Sequence, residues 1–200
     1  MFAISLGDDG AELTPLAPWQ AGEFLAHIDR GREFIGAHVG LPDIVTDLDT
    51  ARAHLVRYAD KAARDAGYLY GIRVDGLLVG GVLFVTFDTA SGVAEAGCWI
   101  EPAYAGRGLV TRACRAILDW AVERRGIHRV EWHVAPENTP SIAVARRLGM
   151  TREGVLRENY PYRGRRADTE IWSVLAPEWR AAKAASQAAA DPAQAASGTA

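Results

Sequence analysis

The apolar residues change their period along the chain, and this change predicts where helices give way to strands. Phe24 and Ile28 fall on one stripe of an amphipathic helix, and Asp47 or Asp49 is suited to cap a second one. The apolar positions of that second helix are Ala51, Leu55, Val56 and Tyr58. Between the two helices, the charged and glycine-containing segment 29–34 predicts a helix end followed by a loop. We therefore expect the first third of the chain to be mainly helical.

From residue 68 onward the period shortens to that of β-strands. Two β-rich runs, 68–74 and 77–86, flank Asp75-Gly76, which is a strong signal for a tight hairpin. The elements predicted after this hairpin are a strand at 93–100, a helix at 109–124, a strand at 129–134, a helix ending at Leu148 with Thr139 as its cap, and strands at 150–156 and 169–175.

This order of elements predicts a single domain over residues 1–182. Helices, an antiparallel meander and then alternating strands and helices are typical of an α+β fold. We expect a mixed, mostly antiparallel sheet with helices on both faces. Residues 183–200 are rich in alanine and poor in large apolar residues, so they are expected to form a frayed or disordered tail.

Composition narrows the classes of function. The formal net charge of −3 argues against general nucleic-acid binding, which needs a basic excess. Cys98 and Cys114 are too few for a zinc site, so no metal is expected, and reduced buried thiols are the simplest interpretation. The chain begins without a basic region followed by an apolar run, and it contains no apolar stretch long enough to cross a bilayer. These features predict a cytoplasmic protein without membrane contact.

A glycine-rich loop is the first feature that points to a ligand. Gly106-Arg107-Gly108 stands between a predicted strand and an amphipathic helix. Glycines there let the backbone approach a ligand, and the N–H groups of the first helical turn, residues 109–111, can bind an anion. Arg107 and Arg112 add positive charge and Thr111 a hydroxyl donor, which suits a pyrophosphate. Taken alone, a Gly-x-Gly before a helix is more often only a turn.

The segments on either side of this loop make its interpretation as a ligand-binding loop more specific. Residues 95–113 resemble the motif of the GNAT acyltransferase superfamily, in which a Glu-x-Gly strand precedes a glycine loop that opens a helix. Residues 138–150 resemble the family's second motif, and the likeness extends over about residues 8–176, closest to the branch that acetylates ribosomal-protein N-termini. Ala105 and Val110 depart from the usual pattern, which puts one polar side-chain contact in doubt.

The resemblance implies direct transfer of an acyl group from acetyl-CoA, or from another acyl-CoA such as succinyl-CoA, to a primary amine. It implies that Glu95 is the base, and the structural alternative for this residue is an ion pair with a neighbouring arginine. It implies that Ser141 is the acid, and the structural alternative for this residue is capping of the helix. Tyr160 and Tyr162 are the reserve acids. A homodimer is expected from the resemblance only.

The residues expected to bind the cofactor are Trp99, Ile100, Arg107, Gly108, Leu109, Val110, Thr111, Asn138 and Arg147. Trp99 and Ile100 would pair with pantetheine as an extra strand does, and Asn138 would bind its amides or form an Asx turn. Arg32 and Glu33 match a substrate loop of the resembling family, and Tyr160 belongs to a second candidate wall. His133 is interpreted as structural, because a histidine without an identified partner is weak evidence of catalysis.

Four functions remain open at this stage. The first is acylation of a protein N-terminus, and a variant acts on a small amine with the same chemistry. A succinyl donor would be favoured by an arginine in the acyl pocket. A non-catalytic acyl-CoA-binding module is the alternative of a different class, and the presence of Glu95 and Ser141 argues against it.

Overall fold

The computed structural model describes residues 3–7 and 10–190. The strands are β1 (Ile4–Ser5), β2 (Ala11–Pro15), β3 (Tyr68–Val74), β4 (Leu77–Asp88), β5 (Val93–Ile100), β6 (Arg129–Val134), β7 (Thr151–Tyr162) and β8 (Arg165–Leu175). The helices are α1 (Ala21–Gly36), α2 (Leu41–Ile44), α3 (Leu48–Ala63), α4 (Leu109–Arg125), α5 (Thr139–Arg147) and α6 (Ala176–Ala190). Within these described ranges, no helix is both long enough and apolar enough to cross a membrane.

The strands form one eight-stranded sheet in the order β1-β2-β3-β4-β5-β6-β8-β7. Neighbours are antiparallel except β5 and β6, which are parallel because α4 crosses between them. The α+β fold class with a mostly antiparallel sheet is therefore confirmed. α6 enters the segment that was expected to be a frayed tail, and residues 191–200 of that tail lie outside the described residues.

The predictions of a turn between β3 and β4 and of a cap for α3 are confirmed, because each depends on residues that are close together in the sequence. The β3–β4 hairpin turns at Asp75 and Gly76, both of which have positive φ, at 50° and 80°. Asp47 caps α3, with its carboxylate accepting the Thr50 N–H at 2.8 Å. Of the apolar residues named for this helix, Ala51, Leu55 and Tyr58 are buried, whereas Val56 is 41% exposed.

The loop predicted at 29–34 is wrong, because α1 runs through this segment without a break. Arg30 is held there by Glu101, to which its guanidinium donates at 2.7 Å. Gly31 is needed for packing rather than for a turn, since a Cβ at this position would lie 2.7 Å from the Ile35 side chain and 3.5 Å from Glu101. The prediction also missed β1 and β2, so the first third is not mainly helical at its start.

Each face of the sheet carries its own apolar core. On one face, α4 and α5 pack on the sheet through residues such as Ile117 and Ala145, and Trp132 of β6 is fully enclosed there. On the other face, α1 and α3 pack through residues such as Phe24 and Leu55. The expectation of helices on both faces is confirmed. Both cysteines are free thiols, with Cys114 buried and Cys98 only half-buried.

A buried polar network ties α1 to the end of β5. Trp99 Nε1 donates to His27 Nε2 at 2.8 Å, and His27 Nδ1 lies 2.5 Å from a Glu101 carboxylate oxygen. An indole N–H only donates, so His27 Nε2 is the acceptor and its Nδ1 carries the proton. Burial lowers the pKa of His27, although Glu101 raises it, and the lowered pKa favours the neutral ring. Arg30 completes the network with hydrogen bonds to Glu101 and to the Leu78 carbonyl.

We predict that Glu101→Ala lowers the free energy of unfolding by about 3 kcal/mol, because His27 and Arg30 lose their shared acceptor in a buried position. Urea denaturation measures the change. Asp60→Ala, which removes an exposed carboxylate from α3, is the control and should change stability by less than about 0.5 kcal/mol. Equal stability of the two variants would show that the network contributes little.

Candidate active site

The site is a cavity that opens where β5 and β6 part. The two strands pair only over residues 93–96 and 129–132, although β5 continues to Ile100. The space beyond holds a cavity of about 560 Å³. Its lining comes from the end of β5, the loop before α4, the start of α4, α5 and the end of α1. The predicted cofactor residues that line it are Trp99, Ile100, Gly108, Leu109, Val110, Thr111, Asn138 and Arg147.

The glycine loop has the geometry that the sequence predicted. Gly106 and Gly108 have φ of 78° and 74°, and Gly108 caps α4 without any side-chain hydrogen bond. The Arg112 N–H is bonded to the Gly108 carbonyl at 3.0 Å, so the helical ladder begins there and leaves the N–H groups of residues 109–111 for a ligand. Arg107 lies outside the lining, with its guanidinium 4.9 Å from the Tyr104 ring centroid.

Three arginines surround this end of the cavity, and the sequence pointed to Arg112 and Arg147 but not to Arg115. Arg112 and Arg115 also line it, one turn apart on α4, and Arg115 donates to the Arg147 carbonyl at 3.3 Å. Helical spacing could have pointed to Arg115, since residues 108, 111, 112 and 115 share one face of the helix that begins at Leu109. These residues bring three arginines to the end of the cavity beside the glycine loop.

Asn138 and Ser141 lie at the opposite end of α5. Asn138 caps this helix by accepting the Ser141 N–H at 3.2 Å, so the prediction of Thr139 as the cap is wrong. The Ser141 oxygen accepts a hydrogen bond from Trp132 Nε1 at 2.9 Å. Because the indole supplies that proton, the hydroxyl proton of Ser141 is left to donate elsewhere.

Glu95 lies on the other face of β5 and does not line the cavity. Its ion-pair partner among the described residues is His133, with Nδ1 3.6 Å from the carboxylate, and not an arginine. Burial raises the pKa of the Glu95 carboxyl, and His133 opposes this shift. The Glu95 side chain is 25% exposed, so it is partly shielded from water and still accessible to solvent.

The two predicted catalytic side chains are at the same level of the sheet but on opposite faces. Glu95 precedes Ala96, which is opposite Trp132 in the last pair of the β5–β6 ladder. Trp132 in turn holds Ser141 on the α5 side. The gap between the strands begins beyond that last pair, next to the level at which both side chains lie.

The predicted substrate residues do not form one cluster. Arg32 is half-buried and donates to the carbonyls of Pro42 and Val45 at 2.7 and 3.0 Å, which fixes α2 against α1. Glu33 is exposed on the last turns of α1. Tyr160 is 51% exposed on β7, close to the chain between α1 and α2.

The β7–β8 hairpin and the end of α1 form a second wall near the site. Tyr162 donates its hydroxyl to the Gly36 carbonyl at 2.6 Å, and Arg163 pairs with Asp43 of α2 at 3.2 Å. Tyr160 stacks on Tyr162 with ring centroids 6.1 Å apart. The Tyr162 hydroxyl therefore holds the wall to α1, whereas the Tyr160 side chain is half exposed.

Comparison with known proteins identifies the family. The family model of the GNAT acetyltransferase domain matches residues 12–151. The chain belongs to the GNAT family. This acetyltransferase is 30% identical over 173 residues to YdaF of Bacillus subtilis strain 168, which is provisionally named a ribosomal N-acetyltransferase, and the match covers 84% of this chain and 92% of YdaF.

Two solved structures share the fold of this acetyltransferase. One is RimL, an α-N-acetyltransferase of ribosomal L7/L12 in complex with coenzyme A, with a TM-score of 0.80, 20% identity and coverage of 84% of this chain and 95% of that one. The other is the microcin C7 immunity acetyltransferase MccE in complex with acetyl-CoA and AMP, with a TM-score of 0.78, 24% identity and coverage of 84% and 93%. At these identities the likeness establishes the fold alone.

The raised pKa of Glu95 predicts a pH dependence of stability. A carboxyl whose pKa is above its ordinary 4.5 binds more protons in the folded than in the unfolded state. The acetyltransferase should therefore lose stability relative to its Glu95→Gln variant as the pH rises from about 4 to 7. Urea denaturation at several pH values measures this difference.

Glu153 provides the control of opposite sign. Hydrogen bonds from Arg129 and Ser173 lower its pKa to about 2. The wild type should gain stability relative to Glu153→Gln as the pH rises through the ordinary range of a carboxyl. The same direction of change in both variants would contradict the assignment of Glu95.

Proposed function

We propose that this GNAT enzyme transfers an acetyl group from acetyl-CoA to the α-amino group of a protein N-terminus, with Glu95 as the base and Ser141 as the acid. The observation that carries the proposal is the arrangement of residues around the cavity. The cavity is lined by the first turn of α4, by three arginines and by Ser141, and Glu95 lies on the other face of the sheet, one residue before the last pair of the β5–β6 ladder.

The cavity fits coenzyme A in size and in the order of its polar groups. Its volume lies within the range of small-molecule sites. The N–H groups of residues 109–111 and the side chains of Arg112, Arg115 and Arg147 would hold the phosphates, with Arg107 available at the rim. Trp99 and Ile100 lie on the part of β5 beyond its pairing with β6, so their backbone would pair with pantetheine, and Asn138 faces them from α5.

The small acetyl group is favoured over succinyl by the placement of the arginines. Those that line the cavity lie on α4 and on the last turn of α5, beside the glycine loop. A succinyl carboxylate would need a cation near Ser141, at the other end of α5. Ser141 and Arg147 are six residues apart on one helix, which separates them by about 9 Å along its axis.

Glu95 and Ser141 would divide the proton transfers. A protein α-amino group has a pKa of about 8, so at neutral pH most of it is protonated and a base must remove a proton before attack. Glu95, whose carboxyl pKa is raised by burial, is suited to accept it. When bound, acetyl-CoA supplies a thioester carbonyl that needs no further activation. The free hydroxyl proton of Ser141 would be donated to the leaving sulfur.

The acceptor assignment rests on the relatives and on the second wall. YdaF and RimL are both named for acetylation of ribosomal proteins. The wall formed by Tyr160, Tyr162 and the end of α1 has an exposed aromatic face beside exposed Glu33. A carboxylate and an aromatic surface at this position would suit a peptide that carries a positive N-terminus.

Arg147→Gln should weaken binding of acetyl-CoA about tenfold, because one of three phosphate-facing charges is lost. Isothermal titration calorimetry measures the dissociation constant. Arg146→Gln is the matched control, since the neighbouring arginine stacks on Trp172, 5.6 Å from the ring centroid, and does not line the cavity. Equal weakening by both variants would place the phosphates elsewhere.

The acceptor is tested by a panel of amines with free-thiol release as the readout. Peptides with a free N-terminal serine or alanine should be acetylated, whereas the same peptides with a blocked N-terminus and spermidine should react at least tenfold more slowly. Glu95→Gln should lower kcat about 100-fold with little change in KM for acetyl-CoA, because it removes the base without touching the cavity.

Each of three results would overturn part of this proposal. A preference for spermidine over every peptide would assign the enzyme to small amines. An unchanged kcat and pH profile in Glu95→Gln would exclude this side chain as the base. Failure of acetyl-CoA to bind would remove the proposed donor as well.

A further inference from the structure

His133 lies between the side chains of two glutamates, Glu131 and Glu95, whose pKa values are shifted in opposite directions. Its Nε2 lies 3.0 Å from a Glu131 oxygen, and its Nδ1 lies 3.6 Å from Glu95. Glu131 is held by Arg129, whose Nε donates to it at 2.7 Å. Burial acts against the charged form of Glu131, but hydrogen bonds from Arg129 and His133 outweigh it and lower its pKa. Glu131 is therefore a carboxylate, whereas the carboxyl of Glu95 is the more easily protonated of the two.

This arrangement determines which nitrogen of His133 carries the proton. A carboxylate only accepts, so the hydrogen bond to Glu131 requires the proton on Nε2. In the neutral ring, Nδ1 then presents a lone pair towards Glu95. The distance of 3.6 Å is longer than a hydrogen bond, so proton transfer between Glu95 and His133 requires the two side chains to approach each other.

We propose that His133 relays the proton that Glu95 removes from the acceptor amine to solvent. The inference rests on the proposed role of Glu95 as the base. His133 acts through Glu95 and does not touch the reacting atoms, so it is a positioning and relay residue. Its side chain is 31% exposed, which gives the relay its outlet to water.

The protons balance over one turnover. The ammonium group of the acceptor loses a proton to the Glu95 carboxylate, and the Glu95 carboxyl passes it to Nδ1. The resulting imidazolium, stabilised by Glu131, loses its Nε2 proton to water, and exchange with solvent restores the original tautomer. Glu95 returns to the carboxylate before the next amine binds.

The other charged groups near Glu95 do not replace this route. On α3, Lys61 acts on the Glu95 carboxyl through its charge, while its ammonium donates to the Val85 carbonyl at 2.7 Å. Tyr58 of the same helix is buried, and burial raises the pKa of its hydroxyl, so it stays protonated. Arg129 is a permanent cation. Among these groups, His133 alone has one ring nitrogen that can accept a proton from Glu95 and a second that can release one.

The test compares His133→Gln and His133→Ala with His128→Gln, an exposed histidine that lies just before β6. Formation of acetylated peptide is the readout, because imidazole added as a buffer could itself release thiol from acetyl-CoA. Both His133 variants should lose about tenfold in kcat near pH 7, with KM for acetyl-CoA unchanged. The loss should diminish as the pH rises and more of the amine becomes neutral.

Added base distinguishes a relay from a structural role. Imidazole should restore kcat of His133→Ala in proportion to its concentration, and methylimidazoles should do so in the order of their pKa values. Wild type and His128→Gln should not respond. Full activity of His133→Gln at every pH, or a low kcat of His133→Ala that no base restores, would overturn the relay.

The relay and the proposed base fail in different ways. If Glu95→Gln is inactive while His133→Gln is fully active, Glu95 remains the base and only the relay is wrong. If Glu95→Gln is fully active, the base assignment is wrong and the relay falls with it. Circular dichroism and thermal unfolding of each variant show whether a loss of kcat reflects a loss of fold.

Discussion

Parallel strands normally satisfy each other's backbone groups along their whole length, but β5 and β6 do so over only four residues each. Beyond Ala96 and Trp132 the strands diverge, and the β6-facing edge of β5 is left for another partner. The rest of the site depends on this divergence. It opens the cavity, exposes the backbone near Trp99 and Ile100, and joins the face that carries Ser141 to the face that carries Glu95.

A strand that loses its neighbour on one side must be held by other contacts. The end of β5 remains paired with β4, and the Glu101 N–H continues that pairing by donating to the Val79 carbonyl at 2.9 Å. Trp99 and Glu101 then anchor it to α1 through His27 and Arg30. The same chain leads directly into the glycine loop, so rigidity at Glu101 fixes where α4 begins. The buried network therefore stabilises the ligand site as well as the fold.

Sequence reasoning succeeded where adjacent residues decide the structure. The Asp75-Gly76 hairpin, the bounds of β5 and the glycine loop before α4 all follow from local backbone chemistry. It failed where the deciding partner is distant. Segment 29–34 is helical because Arg30 meets Glu101, 71 residues away along the chain. The roles of Arg107, Glu33 and Tyr160, and the homodimer, stay predictions.

The surroundings of His133 show the same limit, because its two partners come from different strands. Glu131 is two residues away, on the same side of β6, and alternation alone could have suggested this pair. Glu95 is brought there only by the parallel register, which sets it opposite Glu131. That register is a tertiary property, since α4 must cross the sheet before β6 can pair with β5.

The identity of the Glu95 partner decides what this carboxyl can do. An arginine beside it would hold the pKa low and keep a permanent ion pair, which makes a weak base. Histidine leaves the carboxyl titratable, and burial raises its pKa towards that of the amine it must deprotonate. A smaller difference between the pKa values of the amine and of the Glu95 carboxyl makes the proton transfer between them less unfavourable, provided that Glu95 is still ionised at the working pH. A half-buried carboxylate with a histidine neighbour avoids both the low pKa that an arginine would impose and the stronger desolvation of full burial.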